Sequence, residues 1–407
     1  MKDGSPSLRA LVDRYDPEVA DLTQGGSLRI RVVCGPDSWD VLADRRQARL
    51  QTPRGAPDAT LTADAASWRR IAKDVRGGLD AFRTGGLTIR RNLHAGIGFL
   101  AATSGVTGPE RLVFRRTRTS MGTLSHLEAG SGPPVLLLHG LGATKASFLP
   151  TVGALAPDFR VIAVDLPGFG DSDKPLAAPY DAPYFARAMV ALLDALDIDQ
   201  ADLVGNSMGG RVALELGLQA PDRTRRLALL CPSLAWLRSR PWAPWLRLVR
   251  PELGLLQPAP RRVVEAAVRR IVPGARDGWV AAGVDEFLRA YLTPRGRAAF
   301  YAAARNIYLE RPAGRDGFWT RLPELQPPAL FVWGRQDTLV PLAFARHVRA
   351  NLPGAEHLEL DCGHVPQLEM PDEVHRAIRA FLRRSPPRRA RRDLSAASSR
   401  RRSDAAA

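Results

Sequence analysis

The stretch Asp202-Leu203-Val204-Gly205-Asn206-Ser207-Met208-Gly209-Gly210, continuing into Arg211-Val212-Ala213-Leu214-Glu215-Leu216-Gly217-Leu218, decides how this chain is read. Ala201–Val204 is a short apolar run suited to a buried strand, and Met208–Gln219 has the spacing of a helix. A G-x-S-x-G between a strand and a helix places its serine on a strained turn that pushes the hydroxyl outward. That turn leaves no room for side chains at 205 and 209, so glycine at both is a steric requirement. The helix amino terminus behind the serine favours developing negative charge. Ser207 is therefore the candidate nucleophile.

Upstream, Val135-Leu136-Leu137-Leu138-His139-Gly140-Leu141-Gly142 reads as another buried strand running into a glycine-rich loop. The N–H of Leu141 is expected to pair with that of Met208 around an oxyanion. His139 and Gly140 support that loop, and His139 is read as a structural hydrogen-bonding residue. The base must then come from elsewhere. With nucleophile, acid and histidine in that chain order, His347, His357, His364 and His375 are left. His347 in LAFARHVRANL and His375 in DEVHRAIRAFL fall on helical surfaces, and His357 lies inside the strand-like AEHLELD. Only His364, in Asp361-Cys362-Gly363-His364-Val365-Pro366, stands in a loop past a strand. Asp337, just beyond Ala329–Trp333, is the acid that would orient its imidazole. Asp165, in DLPGFGDSDKP, is expected to fix its own loop, and Asp361 is too near His364 in sequence. Cys231-Pro232-Ser233 follows Arg226–Leu230, which leaves the alternative acid position empty. Cys362 is read as packing.

These four motifs, in this order, closely resemble the α/β-hydrolase superfamily over about residues 120–384. The resemblance implies a mostly parallel sheet flanked by helices, with the hydrolase unit at 123–384. Between Ser233 and Pro328 the strand–helix rhythm stops, and a helical lid is expected at about 233–328. Trp236, Trp242, Trp245, Trp279 and Trp319 mark it, and AWLRSRPWAPWLRLVR suits an interface that is apolar on one side. The implied activity is serine hydrolysis of a hydrophobic or lipid-like carboxylic ester through an acyl-enzyme. Gly205–Gly210 and Trp333-Gly334-Arg335 also look like carbon–carbon bond hydrolases of the meta-cleavage type. Against that branch, Ala143-Thr144 stand where Pro-Gly is usual, and Val365 where Trp is frequent. A third reading is a lipid-binding or transfer protein with a relic hydrolase half, against which the intact set of catalytic residue types weighs.

Residues 1–108 follow a different grammar. Ser27–Cys34, Trp39–Ala43 and Ala48–Gln51 read as an antiparallel meander, and Asp58–Thr62 as a further strand. Ala65–Val75 has helical spacing, Leu79–Arg83 a short helical turn between Gly77-Gly78 and Gly85-Gly86, and Leu87–Arg90 a strand. Apolar Ile97–Ala102 closes the unit. Ala59–Asn92 resembles the sterol-carrier-protein-2 lipid-binding domain, which implies an α+β unit holding a lipid or sterol-like ligand. Polar, basic Thr107–Ser120 is expected to form a linker at 109–122.

The net charge is +16, but much of it sits in the Arg-rich segment 385–407, expected to be a disordered tail. A solvated or membrane-surface role is favoured there over nucleic acid. Three scattered cysteines fit a reducing compartment and offer no metal-ligand spacing. No cofactor is expected, since neither a G-x-G-x-x-G after a strand nor a P-loop occurs. The opening MKDGSPSLRALVDRYD does not read as a secretory signal, and no apolar run approaches a spanning length. A cytoplasmic protein, peripheral at a membrane through its lid and tail, is the expectation.

Overall fold

The computed structural model describes residues 6–19, 26–73, 81, 85–106, 108–109, 111–236, 260–272 and 277–384. Two sheets organise them, one of five strands in the order β3-β2-β1-β4-β5 and one of eight in the order β13-β12-β11-β10-β8-β9-β7-β6.

In the first sheet β1 (Ser27–Cys34), β2 (Asp37–Asp44) and β3 (Ala48–Gln51) form the expected antiparallel meander. β4 (Ala59–Ala63) joins β1 in parallel, and β5 (Leu87–Arg90) returns antiparallel to β4. Helix α1 spans Pro6–Val12, and α2 spans Ala65–Lys73. The Trp68 indole anchors α2 by donating to the Val33 carbonyl at 3.0 Å. Gly77-Gly78 and nearly all of Leu79–Arg83 lie outside the described residues. Apolar Ile97–Ala102 is the second half of α3 (Leu93–Ala102), capped by Asn92, whose side chain accepts from the Ala95 N–H at 2.9 Å. Every residue of α3 is buried. A helix apolar on all faces needs cover on all faces.

That cover comes from both sheets, which corrects the linker reading. Of the residues expected as a linker at 109–122, Val113–Thr119 form strand β6, antiparallel to β7 (Gly122–Ala129). Phe114 points inward against α3, its ring centroid 4.4 Å from that of His94, and a Cβ at Gly98 would lie 3.6 Å from the Phe114 ring. Arg115, Arg116 and Arg118 face solvent. The basic residues that suggest a linker are exposed side chains of an edge strand, where charge discourages pairing with another chain. One apolar cluster accordingly runs from Leu8 through Phe114 to Leu382.

In the second sheet β8 (Pro134–Leu138), β9 (Arg160–Val164), β10 (Ala201–Asn206), β11 (Thr224–Leu230), β12 (Ala329–Gly334) and β13 (Glu356–Leu360) are parallel. Their residues alternate between two cores. Leu137, Val204 and Val332 face the side of α4 (Leu149–Leu155) and the first sheet. Leu138, Leu203 and Trp333 face α5 (Ala182–Ala195) and α6 (Met208–Gln219). Parallel strands put all their carboxyl ends at one rim, where the connecting loops converge.

Between β11 and β12 the insertion holds α7 (Arg261–Ile271), α8 (Asp277–Tyr291), α9 (Pro294–Tyr308) and α10 (Phe318–Arg321). Trp242, Trp245 and segment 385–407 lie outside the described residues, so the membrane-contact expectation is not addressed there. The Trp319 indole is buried and donates to the Ala235 carbonyl at 2.8 Å, so it packs. α11 (Phe344–Asn351), α12 (Pro366–Glu369) and α13 (Pro371–Arg383) complete the chain. His375, expected on a helical surface, is buried on α13 and meets Thr151 Oγ1 at 2.9 Å. The apolar stripe of α13 is wide enough to take the imidazole into the contact with α4. Among the described residues no helix is long and apolar enough to cross a membrane.

Candidate active site

Ser207 sits between β10 and α6 with φ 54° and ψ −118°, a left-handed conformation rare for a residue with a Cβ. Its neighbours make the turn tight. A Cβ at Gly205 would lie 2.4 Å from the Gly209 carbonyl oxygen, and one at Gly209 would lie 1.9 Å from the Leu138 carbonyl oxygen. Both glycines are therefore sterically obligatory, as the motif requires. On the other side Gly140 approaches Ser207 so closely that a Cβ would sit 3.2 Å from the serine's own.

His364 and Asp337 meet as expected: imidazole Nδ1 and carboxylate Oδ2 are 2.7 Å apart, both residues buried. Asp337 Oδ1 accepts the N–H groups of Leu339 and Val340 at 2.8 and 2.9 Å, which fixes the carboxylate in place. The two loops are pressed together at Gly334, where a Cβ would lie 2.0 Å from the Gly363 carbonyl oxygen. The N–H groups of Arg335 and Gln336 bond across to the carbonyls of Leu360 and Cys362. Asn206 then ties the base to the nucleophile's strand, its amide donating to the His364 carbonyl at 3.0 Å. His364 Nε2 is buried and has no hydrogen-bond partner among the described residues. An unpartnered buried nitrogen is costly, so its retention calls for a role. The Ser207 hydroxyl instead lies 3.4 Å from that of Ser233, whose N–H donates to the Ser207 carbonyl.

Among the described residues the N–H groups of Leu141 and Met208 have no acceptor, so both remain available to an incoming oxygen. His139 is fully buried, with Nδ1 2.8 Å from the Gly140 carbonyl and Nε2 accepting the Leu166 N–H at 3.0 Å. That pairing assigns the proton to Nδ1, and burial pushes the imidazole pKa below its ordinary value. His139 is thus a neutral strut, as the sequence suggests. Asp165 holds its loop through the Lys145 N–H at 2.8 Å, the Lys145 ammonium at 2.5 Å and the Asp171 N–H at 2.9 Å. Burial alone would raise the Asp165 pKa, and the Lys145 charge holds it lowered instead.

Three residues of the site escape the sequence reading. Ser233 reaches the nucleophile only through the fold of the β11 loop, and Asn206 only through the approach of the His364 loop. Glu369 accepts the Gly363 and Val365 N–H groups at 2.9 and 3.0 Å, bracing the turn that presents His364. A glutamate four residues after a loop valine is no signal on its own. Cys231, Asp337 and His364 bring one ligand atom each within 4.8 Å of one another. The facing atoms of Asp337 and His364 already bond each other, and burial pushes the Cys231 thiol pKa well above its usual value. The Cys362 thiol is pushed up to about 12, first by burial, so it is a poor nucleophile.

A family model for the alpha/beta hydrolase fold matches residues 133–371. The chain belongs to the α/β-hydrolase family. The chain is 31% identical over 273 residues to a 2-hydroxy-6-oxo-6-phenylhexa-2,4-dienoate hydrolase of Burkholderia cepacia, covering 63% of this chain and 89% of that one. It is 33% identical over 262 residues to a dihydrolipoyllysine-residue acetyltransferase component of an acetoin cleaving system from Pseudomonas putida, covering 62% of this chain and 64% of that protein. Among solved structures, a bacterial membrane phospholipase A superposes with a TM-score of 0.57 at 26% identity, over 67% of this chain and 86% of that one. The first sheet of this α/β-hydrolase lies outside the family match.

Proposed function

We propose that this α/β-hydrolase is a serine carboxylester hydrolase for substrates with an apolar, lipid-like acyl group. The observation that carries the reading is the buried Asp337–His364 bond at 2.7 Å, beside an Nε2 with no partner and a serine on a strained turn. In the reaction the Ser207 hydroxyl leaves Ser233, passes its proton to His364 Nε2 and attacks the ester carbonyl. The N–H groups of Leu141 and Met208 receive the oxyanion. His364 then returns the proton to the departing alcohol oxygen, leaving an acyl-Ser207 that water cleaves by the same route. The apolar acyl group is supported by Phe287, Phe300 and Tyr291, which pack together with ring centroids 5.0 to 5.6 Å apart beside Gly142.

A carbon–carbon bond hydrolase is the second reading, supported by the Burkholderia relative. A dienoate substrate needs a cation for its carboxylate. Arg211 is already engaged by Glu215 and Glu310, and Arg289 by Asp171 and Glu286, which favours the neutral ester. Nitrophenyl esters from acetate to dodecanoate, assayed beside a 2-hydroxy-6-oxo-dienoate, separate the two. Esters are expected to turn over with kcat/KM rising from acetate toward the longer acyl chains. Turnover of the dienoate alone would reverse the assignment.

For residues 1–108 we retain the sterol-carrier-like reading, supported by a five-stranded sheet with helix α2 between β4 and β5. Native mass spectrometry of the full chain after exposure to fatty acid or sterol vesicles is expected to show a bound lipid. A spectrum of bare protein at saturating lipid would remove that reading.

A further inference from the structure

The first sheet and the candidate active site touch a common element, helix α8. At residue 142 the chain turns with φ 77°, and a Cβ there would lie 2.9 Å from the Phe287 ring of α8 and 3.2 Å from Phe300 of α9. Phe287 therefore closes over the backbone that follows Leu141. Two residues earlier on α8, Asp285 is buried and points to the opposite neighbour. Its Oδ2 accepts from Arg90 Nε and from the Arg91 N–H, both at 2.8 Å, and its Oδ1 accepts from Arg261 of α7. Two of these three donors belong to the end of β5, in the first sheet. Arg91 has φ 74°, an unfavourable conformation for a side-chain-bearing residue, at the point where its N–H meets the carboxylate.

The next turn of α8 repeats the pattern. Arg289 pairs with Glu286 at 2.7 Å and with Asp171 at 2.8 Å, and Asp171 lies 3.7 Å from His94 of α3. One stripe of α8 is thus held by ionic contacts to the first sheet, to α7 and to the loop after β9. The other stripe, Phe287 and Tyr291, carries stacked rings toward the nucleophile side. Buried charges hold such a contact in one geometry, because any displacement leaves a carboxylate without compensation.

We infer that the amino-terminal unit sets the position of α8, and that Asp285 is the positioning residue through which it fixes where Phe287 bounds the acyl pocket. The inference rests on the ester-hydrolase reading and adds to it a role for residues 1–108 in substrate selection. Selectivity for acyl length follows from the distance between a pocket wall and the scissile carbonyl. Releasing α8 deepens the pocket and shifts preference toward longer chains.

The test uses the full chain with Asp285→Asn and Arg90→Ala, each alone and combined with Phe287→Ala. Arg90 is about half exposed, so its variant serves if Asp285→Asn does not fold. Each variant is assayed on nitrophenyl acetate and dodecanoate, and with a small fluorophosphonate probe. For Asp285→Asn and Arg90→Ala on their own, acetate turnover and probe labelling are expected within about threefold of wild type, while the dodecanoate-to-acetate ratio of kcat/KM rises about tenfold. In the Phe287→Ala background the same substitutions are expected to leave the ratio unchanged, because the wall they displace is gone. An unchanged ratio in folded, probe-reactive Asp285→Asn or Arg90→Ala, with Phe287 present, overturns the inference, as does full additivity with Phe287→Ala. Failure of wild type to react with either ester or probe would instead defeat the hydrolase reading itself.

Discussion

Ser207→Ala is expected to lower kcat on any ester the wild type cleaves by about 10⁶-fold and to abolish fluorophosphonate labelling. Alanine keeps the Cβ that the turn already accommodates at φ 54°, so the strand-to-helix geometry survives the change. What is lost is the hydroxyl oxygen proposed to attack. Ser233 cannot replace it, although its hydroxyl is 3.4 Å away. It lies beyond β11, not at the start of α6, and the helix amino terminus with its Met208 N–H serves position 207. Residual catalysis over water would come from the two backbone donors and binding alone. If the alanine variant labels as wild type does, the nucleophile has been misassigned.

Asp337→Asn is expected to cost about 10⁴-fold in kcat with little change in thermal midpoint. Asparagine can still accept the Leu339 and Val340 N–H groups through its single carbonyl oxygen, which holds the loop. Its NH₂ group then faces His364 Nδ1 across the 2.7 Å contact. A donor there forces the imidazole to accept at Nδ1 and to carry its proton on Nε2. In that tautomer the ring can no longer take the proton of Ser207. Steady-state rates together with a melting curve check both halves, and a loss of less than tenfold would mean that another carboxylate orients the base.

Much of this site is legible in the sequence because its constraints are local. The glycines at 205 and 209 follow from a turn that spans five residues, and their clash distances of 2.4 and 1.9 Å bear out the steric argument. His364 and Asp337 are legible because each stands in a loop just past an apolar run, and a parallel sheet brings such loops to one rim. Local pattern fails where contact partners are distant. Val113–Thr119 holds two apolar residues followed by three arginines among threonines, which reads as linker composition until Phe114 is seen against α3. His375 reads as surface because a single helix does not reveal that Thr151, 224 positions away, waits for it. Ser233 and Asn206 are ordinary residues whose importance is created by the approach of loops from other strands. The Asp285 contacts are the extreme case, joining positions 90 and 285 across a boundary where the sequence changes grammar.

The burial of α3 limits how the molecule can be divided. Phe114 packs against a helix that a cut at 108 would remove, so the catalytic unit cannot be excised there without baring Phe114 to water. The amino-terminal unit therefore shares an apolar core with the catalytic one.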